Sequence, residues 1–292
     1  MSPQNIEPGP HDHEAPEPHD LGLSHDLPTL LNRRHAIGLL SVGGLVAALA
    51  ACSPRAGSAD ASSAPPAGAP AGGAPGGASQ TDVGEGEIPE ETNGPYPADG
   101  TNGPNALTTT GVVRSDITSS FGDSSGTAEG IPLTFSLTVV DVSGEGDAGT
   151  PVAGAAVYAW HCDRDGQYSM YDIADQNYLR GVQEADADGK VTFTSIFPAC
   201  YQGRWPHIHF EVYPSLDEAT SATNRMRTSQ LALPQDVCET VYATEGYDKS
   251  IANLQDVTLS SDMVFSDGYA LQMAKVSGSV SQGYTATLRV PV

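Results

Sequence analysis

Positive charge is scarce in this 292-residue chain: 13 Lys and Arg stand against 36 Asp and Glu, a formal net charge of −23. A protein that neutralises phosphates needs the opposite balance, so no nucleic-acid partner is expected. The acid surplus reads as a soluble surface suited to salty or extracellular surroundings and says nothing about fold. Long hydrophobic runs are also missing. The one apolar stretch, residues 36–51 (AIGLLSVGGLVAALAA), falls short of the roughly 20 residues that a membrane-spanning helix needs. Cysteine is limited to four residues, and nothing repeats or alternates strand with helix in a βαβ rhythm, which argues against a parallel α/β fold. The 32 Gly and 22 Pro crowd the first third, which leaves room for one globular domain beginning near residue 86.

The N-terminus reads as an address. Arg33-Arg34 directly precede the apolar stretch, an n-region followed by an h-region that resembles a twin-arginine export signal. The stretch ends Leu49-Ala50-Ala51-Cys52, which resembles a lipobox with Cys52 as the lipidated residue; the alternative is an ordinary signal peptide cut at a small-residue site. Residues 53–80 are almost entirely Ala, Gly, Ser and Pro and cannot bury a core. The expected organisation is a signal over 1–52, a tether over 53–85 and a folded domain over 86–292. The mature protein is expected outside the cytoplasm, held to the membrane through an N-terminal lipid anchor or secreted.

From Ile131 onward, short apolar stretches alternate with Gly, Asp, Asn and Pro: Leu133–Val142, Ala155–His161, Lys190–Phe197, His207–Tyr213, Met263–Phe265 and Thr285–Val292. This rhythm predicts an all-β fold, a β-sandwich of mixed or antiparallel sheets with long loops and one or two short helices. Turns are expected at Asp186–Gly189 and Gly144–Gly149. The one helix predicted is Pro234–Thr244, where Pro234 suits the first turn and Asp236 and Glu239 suit the N-terminal dipole.

Five of the eight histidines (His11, His13, His19, His25, His35) precede Cys52, leaving His161, His207 and His209. Residues two apart in a strand share a face, so His207 and His209 are placed to bind one metal side by side. Around them, Cys200–Phe210 packs Tyr201, Arg204 and both imidazoles into a short segment, and Asp165–Ser169 offers a second phenol, Tyr168, on a turn. His161 reads as structural and Trp205 as packing.

Five spaced motifs occur in order: Gly166–Ser169 (Gly-x-Tyr-Ser), Leu179-Arg180-Gly181, Asp186–Gly189 (Asp-x-x-Gly), Pro198–Tyr201 (Pro-x-x-Tyr) and Arg204–His209 (Arg-x-x-His-x-His). Upstream lies Gly94-Pro95-Tyr96. In these residues the chain resembles the intradiol ring-cleavage dioxygenases, over roughly 86–292. It looks most like exported members with a free-standing catalytic domain of protocatechuate type, since no helical dimerisation segment of the catechol-dioxygenase kind is seen. The resemblance implies one Fe(III) per domain, held by Tyr168, Tyr201, His207 and His209, with an aromatic diol and O₂ as substrates and a cis,cis-muconate-type diacid as product. It also implies that Tyr201 leaves the metal and takes a substrate proton. Arg204 would stabilise negative charge on the substrate, and Tyr96 and Gln230 would line its pocket. Hard ferric iron suits phenolate and imidazole donors.

Two rival readings come from the same residues. His207, His209 and Glu211 alternate on one strand and would suit Fe(II) or Zn(II) as two imidazoles and a carboxylate. A tethered β-sandwich binding module without catalysis would carry no stoichiometric iron. Three cysteines, Cys162, Cys200 and Cys238, remain in the mature domain; an odd number in an oxidising compartment predicts one disulfide and one free thiol, with the pairing open. Which catechol is bound and the oligomeric state are not written in these motifs.

Overall fold

The computed structural model of the chain describes residues 86–144 and 148–292. The signal, Cys52 and the tether lie outside the described residues, as do residues 145–147 of the Gly144–Gly149 turn.

Two sheets face each other. In the first, β1 (Pro132–Asp141) is central: β9 (Gly283–Pro291) runs parallel along one side and β8 (Lys275–Ser279) follows it at the edge. Along the other side, β5 (Lys190–Ile196) and then the two-residue β2 (Thr150–Pro151) pair antiparallel to β1. The second sheet is antiparallel throughout, in the order β4 (Arg180–Glu184), β3 (Ala156–Trp160), β6 (His207–Tyr213), β7 (Arg227–Ala232). The all-β sandwich expected from the sequence is the observed architecture.

Strand alternation explains where the core and the site lie. On β6, Ile208, Phe210 and Val212 enter the main core with Leu133, Phe135, Leu137 and Val139 of β1 and Phe193 of β5. His207, His209, Glu211 and Tyr213 therefore take the opposite face, and all seven residues of β6 are buried. Tyr158 and Trp160 of β3 lie on that second face too, under a separate cluster with Leu107, Phe121 and Tyr168 contributed by loops. The long connections over 86–130 and 161–179 thus cover a sheet face that would otherwise meet water, and that layer holds the candidate site.

Pro234 caps α1 (Gln235–Tyr242), within the predicted helix. A second helix, α2 (Asp248–Gln255), was not predicted. Its apolar content is low, with only Ser250 and Leu254 buried, so it has little amphipathic signal. Met263–Phe265 is a correction: it is no strand. Asp262 Oδ1 accepts the N–H groups of Val264 (2.8 Å) and Phe265 (3.2 Å), which winds the backbone into a single 3₁₀ turn at Phe265–Asp267. The Asp186–Gly189 turn forms as expected, with Asp186 Oδ1 accepting from Asp188 and Lys190 N–H at 2.9 Å.

Candidate metal centre

Each ring of the site is delivered by a different device. Tyr168 sits in a loop built on carboxylates: Asp163 Oδ1 accepts from the N–H groups of Asp165 and Gln167 (2.9 Å each), and Asp172 Oδ2 from that of Tyr168 (2.8 Å). Tyr201 follows a segment that both helices hold. The Tyr242 hydroxyl donates to Pro198 O (3.0 Å), Asn253 Nδ2 to Cys200 O (2.8 Å), and Ser250 Oγ accepts from Cys200 N–H (3.1 Å). The two loops meet at Gly166, whose φ of +83° and closeness to Tyr201 (an added Cβ would lie 3.1 Å from Tyr201 Cβ) suit only glycine. His207 and His209 come from β6, on one face as expected.

The four donor atoms converge. The phenolic oxygens are 3.4 Å apart, Tyr201 Oη is 3.3 Å from His207 Nε2, and the two Nε2 atoms are 3.1 Å apart. His207 Nδ1 lies 2.5 Å from Trp205 O, a contact that only an N–H makes, so its Nε2 carries the lone pair. His209 Nδ1 is buried without a partner. A proton on that nitrogen points two imidazole lone pairs at each other; a proton on Nε2 leaves a buried lone pair at Nδ1. Either state is costly in a dry interior, and a cation among the four donors removes the conflict. The set of two phenols and two imidazoles therefore fits a hard metal ion.

Burial drives the ionisation pattern. His207 is pushed down to about 3 and His209 well below its ordinary value, first by burial and then by the charge of Arg204 for the former and by His207 for the latter, so both are neutral bases at pH 7. Burial raises Tyr168 well above the ordinary phenol value and Tyr201 to about 12, with Arg204 acting in the opposite direction on both. Tyr168 is buried, whereas Tyr201 is half-buried.

Arg204 is buried and shares its guanidinium between Asp262 Oδ2 (Nε, 3.0 Å) and Gln230 Oε1 (2.7 Å). Gln230 sits opposite His209 in the β6–β7 register and is brought to the site, though both ends of its amide are occupied, since Nε2 donates to Thr92 O at 3.0 Å. The Tyr96 ring packs on Tyr168 (centroids 5.0 Å apart) and Tyr171 (5.1 Å), forming an aromatic wall beside the phenols. His161 is internally satisfied, with Nδ1 2.7 Å from Cys162 O and Nε2 2.7 Å from Ser195 Oγ. Trp205 packs in the core and donates to Leu233 O.

Four participants escaped the sequence reading. Asp262 lies far along the chain from Arg204. Trp160 stacks on His209 with centroids 4.8 Å apart and planes 4° apart. Gly94 (φ +72°) leaves room for His209 Cε1. Arg180, quoted only as part of a motif, donates to Tyr96 O, Pro97 O, Ser169 O, Ser169 Oγ and the Tyr158 hydroxyl. The disulfide expectation is corrected: Cys162, Cys200 and Cys238 are all free and buried. Cys162 and Cys200 each point at a backbone carbonyl, of Ala199 and Arg204 respectively, and Cys238 lies inside the main core. The carboxylate alternative does not assemble either. Glu211 Oε2 accepts the Tyr213 hydroxyl at 2.6 Å, and among the described residues no three His, Cys, Asp or Glu side chains gather as a metal site.

A β-sandwich with two phenols and two imidazoles converging under its loops defines a class, a tyrosine- and histidine-lined mononuclear site. The family model described as Dioxygenase matches residues 102–222. That segment holds all four donors, and the likeness to intradiol ring-cleavage dioxygenases carried by the motifs holds in these comparisons. A chlorocatechol 1,2-dioxygenase of Rhodococcus opacus is 39% identical over 72 residues, covering 24% of this chain and 26% of that protein. Catechol 1,2-dioxygenase 1 of Acinetobacter lwoffii is 40% identical over 74 residues, 24% of this chain and 22% of the relative. The matched stretch is thus about a quarter of the length of these curated relatives. Among solved structures, an intradiol ring-cleavage dioxygenase from Tetranychus urticae aligns over 62% of this chain and 86% of its own at 23% identity, TM-score 0.49. A hydroxyquinol 1,2-dioxygenase from Pseudomonas putida DLL-E4 aligns over 71% and 66% at 17% identity, TM-score 0.43.

Proposed function

We propose that this protein cleaves a catechol-type aromatic diol with O₂ by the intradiol route, giving a cis,cis-muconate-type diacid, at one non-haem Fe(III) per domain. The observation that carries the reading is the convergence of Tyr168, Tyr201, His207 and His209, with the unpartnered His209 Nδ1 beside them. Those four residues would hold the iron, which when bound supplies Lewis acidity and a template for a diol.

The remaining work belongs to the chain. Neutral His207 and His209 offer lone pairs without losing a proton, whereas both phenols must ionise against burial. The asymmetry between buried Tyr168 and half-buried Tyr201 supports Tyr168 as the retained donor and Tyr201 as the one that is exchanged, its phenolate oxygen then accepting a proton from a substrate hydroxyl. Arg204 keeps a fixed positive charge beside the phenols, suited to negative charge spreading over the ring. Tyr96 and Tyr171 form an apolar wall against which an aromatic ring packs. Export with a lipid on Cys52 is proposed as well; Cys52→Ala is expected to move the protein from the membrane fraction to the soluble one.

The test is a visible spectrum of the purified protein with iron quantified, before and after catechol. About one iron and a broad phenolate-to-iron band that moves to longer wavelength with catechol would support the reading. A metal-loaded but colourless protein would overturn the two-tyrosine site, and a protein that takes up no iron would favour the binding module.

A further inference from the structure

One string of buried hydrogen bonds runs past the donors without touching them. Asp262, fully buried, accepts at Oδ2 from Arg204 Nε (3.0 Å) and from Trp205 N–H (2.7 Å), while its Oδ1 takes the N–H groups of Val264 and Phe265. Arg204 continues to Gln230 Oε1 (2.7 Å), and Gln230 Nε2 to Thr92 O (3.0 Å). Thr92 Oγ1 accepts the N–H of Gly94 (3.1 Å), and Gly94 is the residue whose Cα lies over the His209 ring.

The direction of the string is fixed chemically. A guanidinium only donates, so Gln230 must turn its oxygen toward Arg204 and its NH₂ toward the Thr92 carbonyl. Arg204 in turn needs a buried anion, because an unpaired guanidinium in this interior is strongly unfavourable. Burial works against the Asp262 carboxylate, and the neighbouring Arg204 more than offsets it, so Asp262 stays ionised. All four of its printed bonds are accepted ones. An Asn there has one acceptor oxygen and can serve the Arg204 side or the turn side, not both.

We propose that Asp262 is a positioning residue for the Thr92–Gly94 segment, acting through Arg204 and Gln230, and thereby sets the backbone that packs on His209. The same covering loop has an independent fastening two residues on: Arg180 donates to Tyr96 O and Pro97 O, both at 2.9 Å. Loss of Asp262 should therefore loosen residues 91–95 and leave 96–99 held. The proposal concerns the chain alone and does not depend on iron or on ring cleavage.

Amide hydrogen exchange on the metal-free full chain, resolved to peptides, tests it, with Asp262→Asn and Gln230→Leu as the variants. Leu keeps the volume of Gln230 and removes only the link to Thr92. Each variant is expected to raise exchange in 91–95, which includes the bonded amides of Glu91 and Gly94, about tenfold with 96–99 unchanged. The double variant should exceed Gln230→Leu by less than twofold in 91–95, because both act on one string. Deprotection confined to 262–266 in Asp262→Asn would overturn the proposal, leaving Asp262 as a cap for its own turn. So would unchanged 91–95 exchange in Gln230→Leu. Should Asp262→Asn not fold, Asp262→Glu, which keeps the charge and displaces it by one methylene, carries the same test with the same two outcomes.

Discussion

Substituting Gly94 by Ala probes the tightest approach at the site. An added Cβ would lie 3.2 Å from His209 Cε1 and 3.7 Å from Nε2, at a φ of +72°. The backbone term alone costs about 1–2 kcal/mol, since an L side chain in the left-handed region crowds its own carbonyl. The contact adds a second term, because the imidazole has little freedom to give way: it is stacked on Trp160 and has His207 Nε2 3.1 Å from its own. Gly103 separates the two terms. Its φ is +91°, and an added Cβ meets nothing within 4 Å, so Gly103→Ala carries the backbone penalty only. Thermal unfolding of the metal-free proteins should show a loss of about 2–8 °C for Gly103→Ala and a larger loss for Gly94→Ala. Iron retention against a chelator should fall about 10–100-fold in Gly94→Ala and not at all in Gly103→Ala, as when a ligand's orienting shell is disturbed. Equal losses of stability and equal iron retention in the two variants would refute the claim that Gly94 orients His209.

Tyr201→Phe should retain a phenolate band from Tyr168, and that band should no longer shift on adding catechol, as read in the same visible titration. His161→Gln should flatten the acid limb of the stability curve. Burial depresses His161 to about 4 from an ordinary 6.5, so its contribution is complete above pH 6.5 and is lost as pH falls toward 4, a difference of about 3 kcal/mol seen in urea unfolding at the two pH values. Arg180→Lys should destabilise by about 3 kcal/mol in denaturant titration, because one ammonium cannot span the carbonyls of Tyr96, Pro97 and Ser169. Alkylation should leave Cys162, Cys200 and Cys238 unlabelled in the native protein and label all three once it is denatured without reductant; burial keeps each thiol protonated, Cys200 up to about 12.

The legible strands are those whose residues obey one environment. β6 was readable to the residue because His207-Ile208-His209-Phe210-Glu211-Val212-Tyr213 alternates perfectly, and the same alternation placed both imidazoles on one face. β4 and β7 were not readable. Arg180-Gly181-Val182-Gln183-Glu184 and Arg227-Thr228-Ser229-Gln230 are polar by composition, and Arg180, Thr228, Ser229 and Gln230 are nonetheless buried because their partners are the backbone of covering loops and Arg204. Propensity has no access to partners that arrive from elsewhere in the chain.

The same distinction divides the site. Tyr168, Tyr201, His207 and His209 belong to local motifs, each a few residues long, so their spacing could be matched in order along the chain. The groups that aim them are remote: Trp160 reaches His209 across the β3–β6 register, Ser250 and Asn253 of α2 hold the Cys200 peptide, and Asp262 answers Arg204 from a turn whose apolar residues imitate a strand. The cysteine expectation failed for a related reason. Counting thiols assumes that pairing is decided by compartment, whereas each of these three is buried in its own packing environment, with Cys162 and Cys200 directed at separate carbonyls. Donor identity is therefore encoded locally and donor geometry is encoded by tertiary contact, which is why variants at Gly94, Gln230 and Asp262 are expected to disturb the site while leaving every motif intact.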